Sequence, residues 1–143
     1  MLHDVLSGMI CVHDTNPWCR GWKRGHSSIR QALCGRKWRL PFEDGDFTLA
    51  AMNFAPPAPP VAVSAPVPAS AVTVLKVRAG WTDPAHPAPA RQFMFLLSDQ
   101  IQVEAGGEVR RFAAGDIVFA EDTQGPGHAT TSLEDTVIAN VRV

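Results

Sequence analysis

His86 stands among Pro84, Pro87 and Pro89 in the stretch "PAHPAPARQFMFLLSD". Its imidazole is chemically able to ligate a metal ion, and equally able to serve as the polar group of a proline-stiffened loop. His128 ends a second stretch rich in glycine, "EDTQGPGH", in which Glu121 and Asp122 come just before the turn residues. A carboxylate there can act as a general base or as an extra ligand at the mouth of a pocket, although acidic residues beside glycine and proline ordinarily form a solvated turn, the reading adopted for both. No Ser/His/Asp arrangement, phosphate-binding loop or dinucleotide fingerprint is present.

Five more candidate ligands lie near the N-terminus: Cys11, His13, Cys19, His26 and Cys34. Cysteine and histidine are zinc donors, but the paired C-x-x-C spacing of structural zinc modules is missing. The surrounding composition is unusual. Residues 1–40 hold seven Lys/Arg against two acidic residues, whereas residues 41–143 hold six against twelve and no Cys. Formal charges of +5 and −6 in one chain of net charge −1 indicate a basic Cys/Trp-rich arm, residues 1–40, joined to a domain at 41–143. The arm has no clean helical or alternating period. Its Trp, Cys, Arg and Gly content suggests a separate origin, such as a shifted reading frame would produce, and a zinc-binding arm is the alternative.

At 143 residues the chain has enough length for one domain with its own core. Its small net charge gives no electrostatic case for a nucleic-acid or membrane partner. The run from Phe47 to Leu75 is uncharged, but six prolines between Pro56 and Pro68 exclude a membrane-spanning helix and point to an extended segment lying along the domain. Three cysteines and no visible leader make the cytoplasm the expected compartment.

From Ala71 onward the period is two, with six to eight short runs separated by turn residues and no helical pattern. "AVTVLKVRAG" reads as a strand ending at Gly80, and "RQFMFLL" is apolar on both faces, as in a strand covered from two sides. "IQVEA" puts Ile101, Val103 and Ala105 inward and Gln102 and Glu104 in water; Gly106 and Gly107 then supply a hairpin turn. "EVRRF", "IVFA" and "HATTS" follow. "TVIANVRV" closes the chain with Val137, Ala139, Val141 and Val143 on one face. An all-β sandwich or small barrel is the expected class.

These residues resemble the cupins, small jelly-roll β-barrels. The first cupin motif is glycine, five residues, His-any-His, three or four residues, glutamate, six residues, glycine. Gly80, His86, Ala88, Gln92 and Asp99 fall at its positions, so the second histidine is replaced by Ala88 and the glutamate by Gln92. The second motif is echoed by Gly115, Thr123, Gly125, His128 and Ser132, with two extra residues before Thr123. "RRFAAGD" and "EDTQGPGH" look like those of a bacterial subgroup of small cupins. The resemblance runs from about residue 42 to the end, strongest between Gly80 and Ser132.

It implies a cupin-type jelly-roll β-barrel with an extended N-terminal segment, pairing as a homodimer and holding a small organic ligand. It also implies a divalent metal, Zn, Mn, Fe or Ni, held by His86, Gln92 and His128. Gln92 shares a strand face with Met94 and Leu96, as an inward residue should; being neutral, it offsets none of the metal's charge. A binding or sensing module without metal is the alternative. Arg91 should point away from Gln92 and pair with an acidic surface. Arg110 and Arg111 take opposite faces of one strand, with at least one in solvent, and Trp81, Phe93, Phe95 and Phe119 are expected in the core or an interface.

Overall fold

Period-two sequences bury every second residue, and the structure is built from such strands. It is a computed structural model that describes residues 29–32, 42–45 and 47–143. Cys11, His13, Cys19, His26 and Cys34 lie outside the described residues. Twelve strands occur among those described: β1 (Ile29–Ala32), β2 (Phe42–Gly45), β3 (Leu49–Met52), β4 (Val61–Ser64), β5 (Ala71–Val77), β6 (Thr82–His86), β7 (Gln92–Leu96), β8 (Gln100–Ala105), β9 (Glu108–Ala113), β10 (Ile117–Ala120), β11 (His128–Ser132) and β12 (Thr136–Arg142). No helix is present among them, so none is long and apolar enough to cross a membrane.

The strands form a six-stranded sheet, β2-β1-β10-β7-β12-β5, a four-stranded sheet, β6-β11-β8-β9, and the separate hairpin β3-β4. From β5 onward the pairing is nested and antiparallel: β5 with β12, β6 with β11, β7 with β10, and β8 with β9. The innermost pair turns at Gly106 and Gly107, whose φ of 59° and 82° suit glycine. Outside this set, β1 adds to β10 in parallel and to β2 antiparallel.

The two sheets pack together over one core. Ile101, Val103 and Ala105 of β8 and Phe112 of β9 face Met94 and Leu96 of β7, Val118 of β10 and Ile138 of β12, with Phe42 beside Phe112. The inward row expected for β8 is thus observed. On β12 the buried residues are Thr136 and Ile138, so the Val137, Ala139, Val141 row faces outward. The inward face of that strand holds Ile138 beside the polar Thr136 and Asn140, whereas the outward face is apolar throughout, so period alone turns it the other way.

Two other expectations are corrected. The proline-rich segment carries a hairpin, Leu49–Met52 with Val61–Ser64, and the first long strand ends at Val77. Arg110 packs beside β2: it donates to Asp44 Oδ1 at 3.0 Å and to the Phe42 carbonyl at 3.2 Å, with its guanidinium over the Phe42 ring. Arg111 is exposed on the opposite face.

Phe112 has no exposed surface, and truncation there leaves a cavity the sheets cannot close. Phe112→Ala should cost about 3–5 kcal/mol of unfolding free energy in urea denaturation. Val109→Ala, on the same strand but 51% exposed, should change it by no more than about 0.5 kcal/mol.

Candidate functional site

The strand ends gather the polar side chains. β6 ends at His86, β7 opens at Gln92, β10 ends at Ala120 and β11 opens at His128. Register fixes their order, with Gln92 opposite Ala120 and His86 opposite His128. His86 and His128 are therefore neighbours on the four-stranded sheet, with ring centroids 5.9 Å apart. Gln92 lies at the same end, half-buried, on the facing sheet.

His86 is placed by an irregular strand. Pro84 cannot donate to a ladder, and β6 is an edge strand, where proline is tolerated. Between His128 and Thr130 the register with β6 shifts, so that Asp83 and His86 face a shorter stretch of β11. Such a bulge re-aims side chains that simple alternation would set on opposite faces. Here it brings Asp83 Oδ2 to 2.8 Å from His86 Nε2. The other ring nitrogen, Nδ1, lies 2.8 Å from the Pro87 carbonyl. A carboxylate and a carbonyl only accept hydrogen bonds, so both ring nitrogens donate when the ring is an imidazolium. The Asp83 hydrogen bond, then that of the Pro87 carbonyl, raises the His86 pKa above its ordinary value, against a smaller opposing effect of burial.

His128 is held differently. It is 8% exposed, and its Nδ1 donates to Asp122 Oδ2 at 2.6 Å. Asp122 is completely buried, which overturns the reading of "ED" as a solvated acidic turn. Glu121 is not free either: its side chain is 8% exposed, and Oε1 accepts from Arg91 Nε and Nη2 at 2.9 and 2.6 Å. Alternation accounts for the split, since Ala120 and Asp122 point in while Phe119 and Glu121 point out. Arg91 pairs with an acidic residue as expected, and its guanidinium lies 5.4 Å from the Phe119 ring centroid.

Backbone contacts lock the two histidine-bearing segments together. The Ala88 amide donates to the Asp122 carbonyl at 2.9 Å, and Ala88 itself is buried. Gly127, at φ 70°, lies so close to the His86 carbonyl that a Cβ would collide with it and with Pro87 N.

Sequence reasoning selected His86, Gln92, His128 and the "ED" pair, and missed what Asp83 and Asp122 do. A signal existed for Asp122: six residues before His128, across a glycine-rich loop, is a span that allows the chain to double back. Nothing in the sequence marks the bulge that joins Asp83 to His86.

The expected three-ligand metal set fits only in part. His128 presents Nε2, and a carboxylate on the opposite nitrogen is the usual support of a metal-binding imidazole. His86 offers no ring lone pair while Asp83 and the Pro87 carbonyl hold it. Among the described residues, no group of three or more His, Cys, Asp or Glu is arranged to hold a metal ion.

No protein-family model matches the chain, and no curated protein matches it. Among solved structures, the conserved SPY1581 protein of unknown function from Streptococcus pyogenes matches at a TM-score of 0.45 and 24% identity, over 50% of this chain and 61% of that one.

Two outcomes test this geometry. Gly127→Ala should lower the melting temperature by several degrees, because backbone must move to admit the methyl group, whereas Gly107→Ala meets no atom and bears only the φ penalty of about 1–2 kcal/mol. The second is pH-dependent. A raised pKa makes the His86–Asp83 contribution fully present below the unfolded histidine value and lost as pH rises through the folded value. Asp83→Asn should therefore destabilise the protein more at about pH 5.5 than at about pH 8.5, measured as the difference in melting temperature from the parent chain.

Proposed function

We propose that this chain is a cupin-type jelly-roll barrel that binds a small organic ligand at its histidine-bearing end, with His128 Nε2 as the group that meets the ligand. The nested pairing of eight strands, first with last and fourth with fifth, is that of a rolled hairpin and supports the jelly-roll reading. The observation that carries the ligand reading is the Asp122–His128 contact. A fully buried carboxylate holds Nδ1, which fixes the ring and leaves one nitrogen for hydrogen bonding or proton exchange. Asp122 Oδ1 and Asn140 Oδ1 are buried acceptors without a partner. Buried acceptors are normally satisfied, so a ligand bearing O–H or N–H groups suits this interior.

In this reading the site works without metal, since His86 is committed to Asp83 and Pro87. A second reading is favoured by the same Asp122 support: a divalent ion bound through His128 Nε2 and Gln92, with His86 joining only on leaving Asp83. The two predict different metal contents. Protein purified without a histidine tag should contain less than about 0.1 equivalent of transition metal, and adding Mn, Fe, Ni or Zn should leave its melting temperature unchanged, because a ligand specific to the folded state must stabilise it. About one equivalent, lost in His128→Ala, overturns the metal-free reading in favour of the second. Imidazole NMR of His128 tests ligand binding: a small hydroxy or amino compound should shift its signals, and Asp122→Asn should weaken that response. A panel of such compounds leaving His128 unmoved sinks the ligand reading.

A further inference from the structure

On the inner face of the six-stranded sheet, polarity falls from the histidine-bearing end toward the core. β7 and β12 are antiparallel, with Gln92 opposite Arg142, Met94 opposite Asn140 and Leu96 opposite Ile138. Residues directly opposite each other in such a pair share a face, with Cβ atoms about 5 Å apart. Leu96 and Ile138 are buried, so the alternate residues Asn140 and Arg142 turn to the same side as Met94 and Gln92. Arg142 ends β12 but is not loose there. Its carbonyl accepts from the Ser70 amide at 2.8 Å, and the Val143 amide that follows donates to the Arg91 carbonyl at 3.0 Å.

The charge of Arg142 has no carboxylate to answer it. At this end of the molecule Glu121 is taken up by Arg91, Asp83 by His86 and Asp122 by His128. Among the described residues the Arg142 guanidinium has neither an ion pair nor a hydrogen bond. An exposed arginine is an ordinary feature of a surface. What lies one inward position behind it is not: Asn140 Oδ1 is a buried acceptor with no donor, where buried acceptors are normally satisfied. Beyond Asn140 the face is apolar, formed by Met94, Ile138, Leu96 and Val118. From the rim inward, the sheet therefore offers a cation, then an acceptor, then hydrocarbon.

We propose that the ligand of this site is a small hydroxy- or amino-carboxylate, with its carboxylate on the Arg142 guanidinium and its O–H or N–H donated to Asn140 Oδ1. The inference rests on the ligand reading above and adds to it the charge of the ligand and the residue that selects it. A guanidinium presents paired N–H groups that match the two oxygens of a carboxylate. The hydroxyl or amino group supplies the donor that Asn140 lacks, and the ligand's carbon chain meets Met94. Arg142 is then the determinant that separates an acid from its neutral amide.

Matched acids and amides test the proposal on the full chain. Lactate, 3-hydroxybutyrate and alanine, each beside its primary amide, are titrated from about 1 μM to about 10 mM, a span that brackets the affinities usual for small substrates. Calorimetry gives the dissociation constant, and the imidazole NMR signals of His128 give the place of binding. At least one acid should bind about tenfold or more tighter than its amide, and Arg142→Gln should remove that preference by weakening the acid alone. Arg142 is exposed, so the variant should melt with the parent chain; Arg142→Lys, which keeps the charge without the fork, should restore only part of the affinity. Acid and amide binding equally well overturns the carboxylate proposal and leaves the ligand reading standing. An acid preference indifferent to Arg142→Gln also overturns it. Acid that binds through Arg142 without moving His128 upholds the proposal and removes His128 from the site, and no binding by any of the six compounds overturns both.

Discussion

Side-chain alternation on β8 governs the rest of the molecule. Ile101, Val103 and Ala105 have almost no exposed surface, and a slip of one residue would put Gln102 and Glu104 in their place. With that row fixed, β9 and β11 are held in register on either side. The opposing sheet must then present Met94, Leu96, Val118 and Ile138 to the same space. The consequence extends past the core. Once Leu96 and Met94 point inward, Gln92 does too and Arg91 cannot; once Val118 and Ala120 point inward, Asp122 follows and Glu121 goes out to meet Arg91. The placement of polar side chains at the histidine-bearing end is inherited from hydrophobic burial several residues away.

That inheritance explains what the sequence could and could not disclose. The β8-β9 hairpin was legible because alternation was clean and two glycines marked its turn. His86 and His128 were legible as partners only through a resemblance in spacing, since 42 residues separate them and only strand pairing brings them together. Asp122 was misread for a physical reason. A carboxylate flanked by turn residues normally stays in water, and the exception depends on a histidine six residues later folding back onto it. The outward turn of Val137, Ala139 and Val141 was equally hidden, because the face of that strand with more apolar residues is the outer one, and Thr136 and Ile138 take the core side.

The two histidines illustrate how one residue type acquires two characters from its acceptors. His86 is gripped at both nitrogens by oxygen atoms and is stabilised as a cation. His128 is gripped at one, by a carboxylate that water does not reach. The first is more exposed and belongs to a bulged edge strand; the second begins a strand paired on both sides. A pair so different in surroundings is not interchangeable: one ring is held at both nitrogens beside Asp83, and the other at Nδ1 alone.

The close approach of Gly127 to the His86 carbonyl has an evolutionary side. Residues 123–126 are exposed, while Asp122 before them and Gly127 after them are buried, so the turn is clamped at both ends and open between. Substitutions within it can recast the rim of the site without altering the separation of the two imidazoles, which the backbone contacts at Gly127 and Ala88 hold. The outline of that rim and the separation of the two imidazoles are therefore encoded in different residues, and a lineage can vary the first while keeping the second.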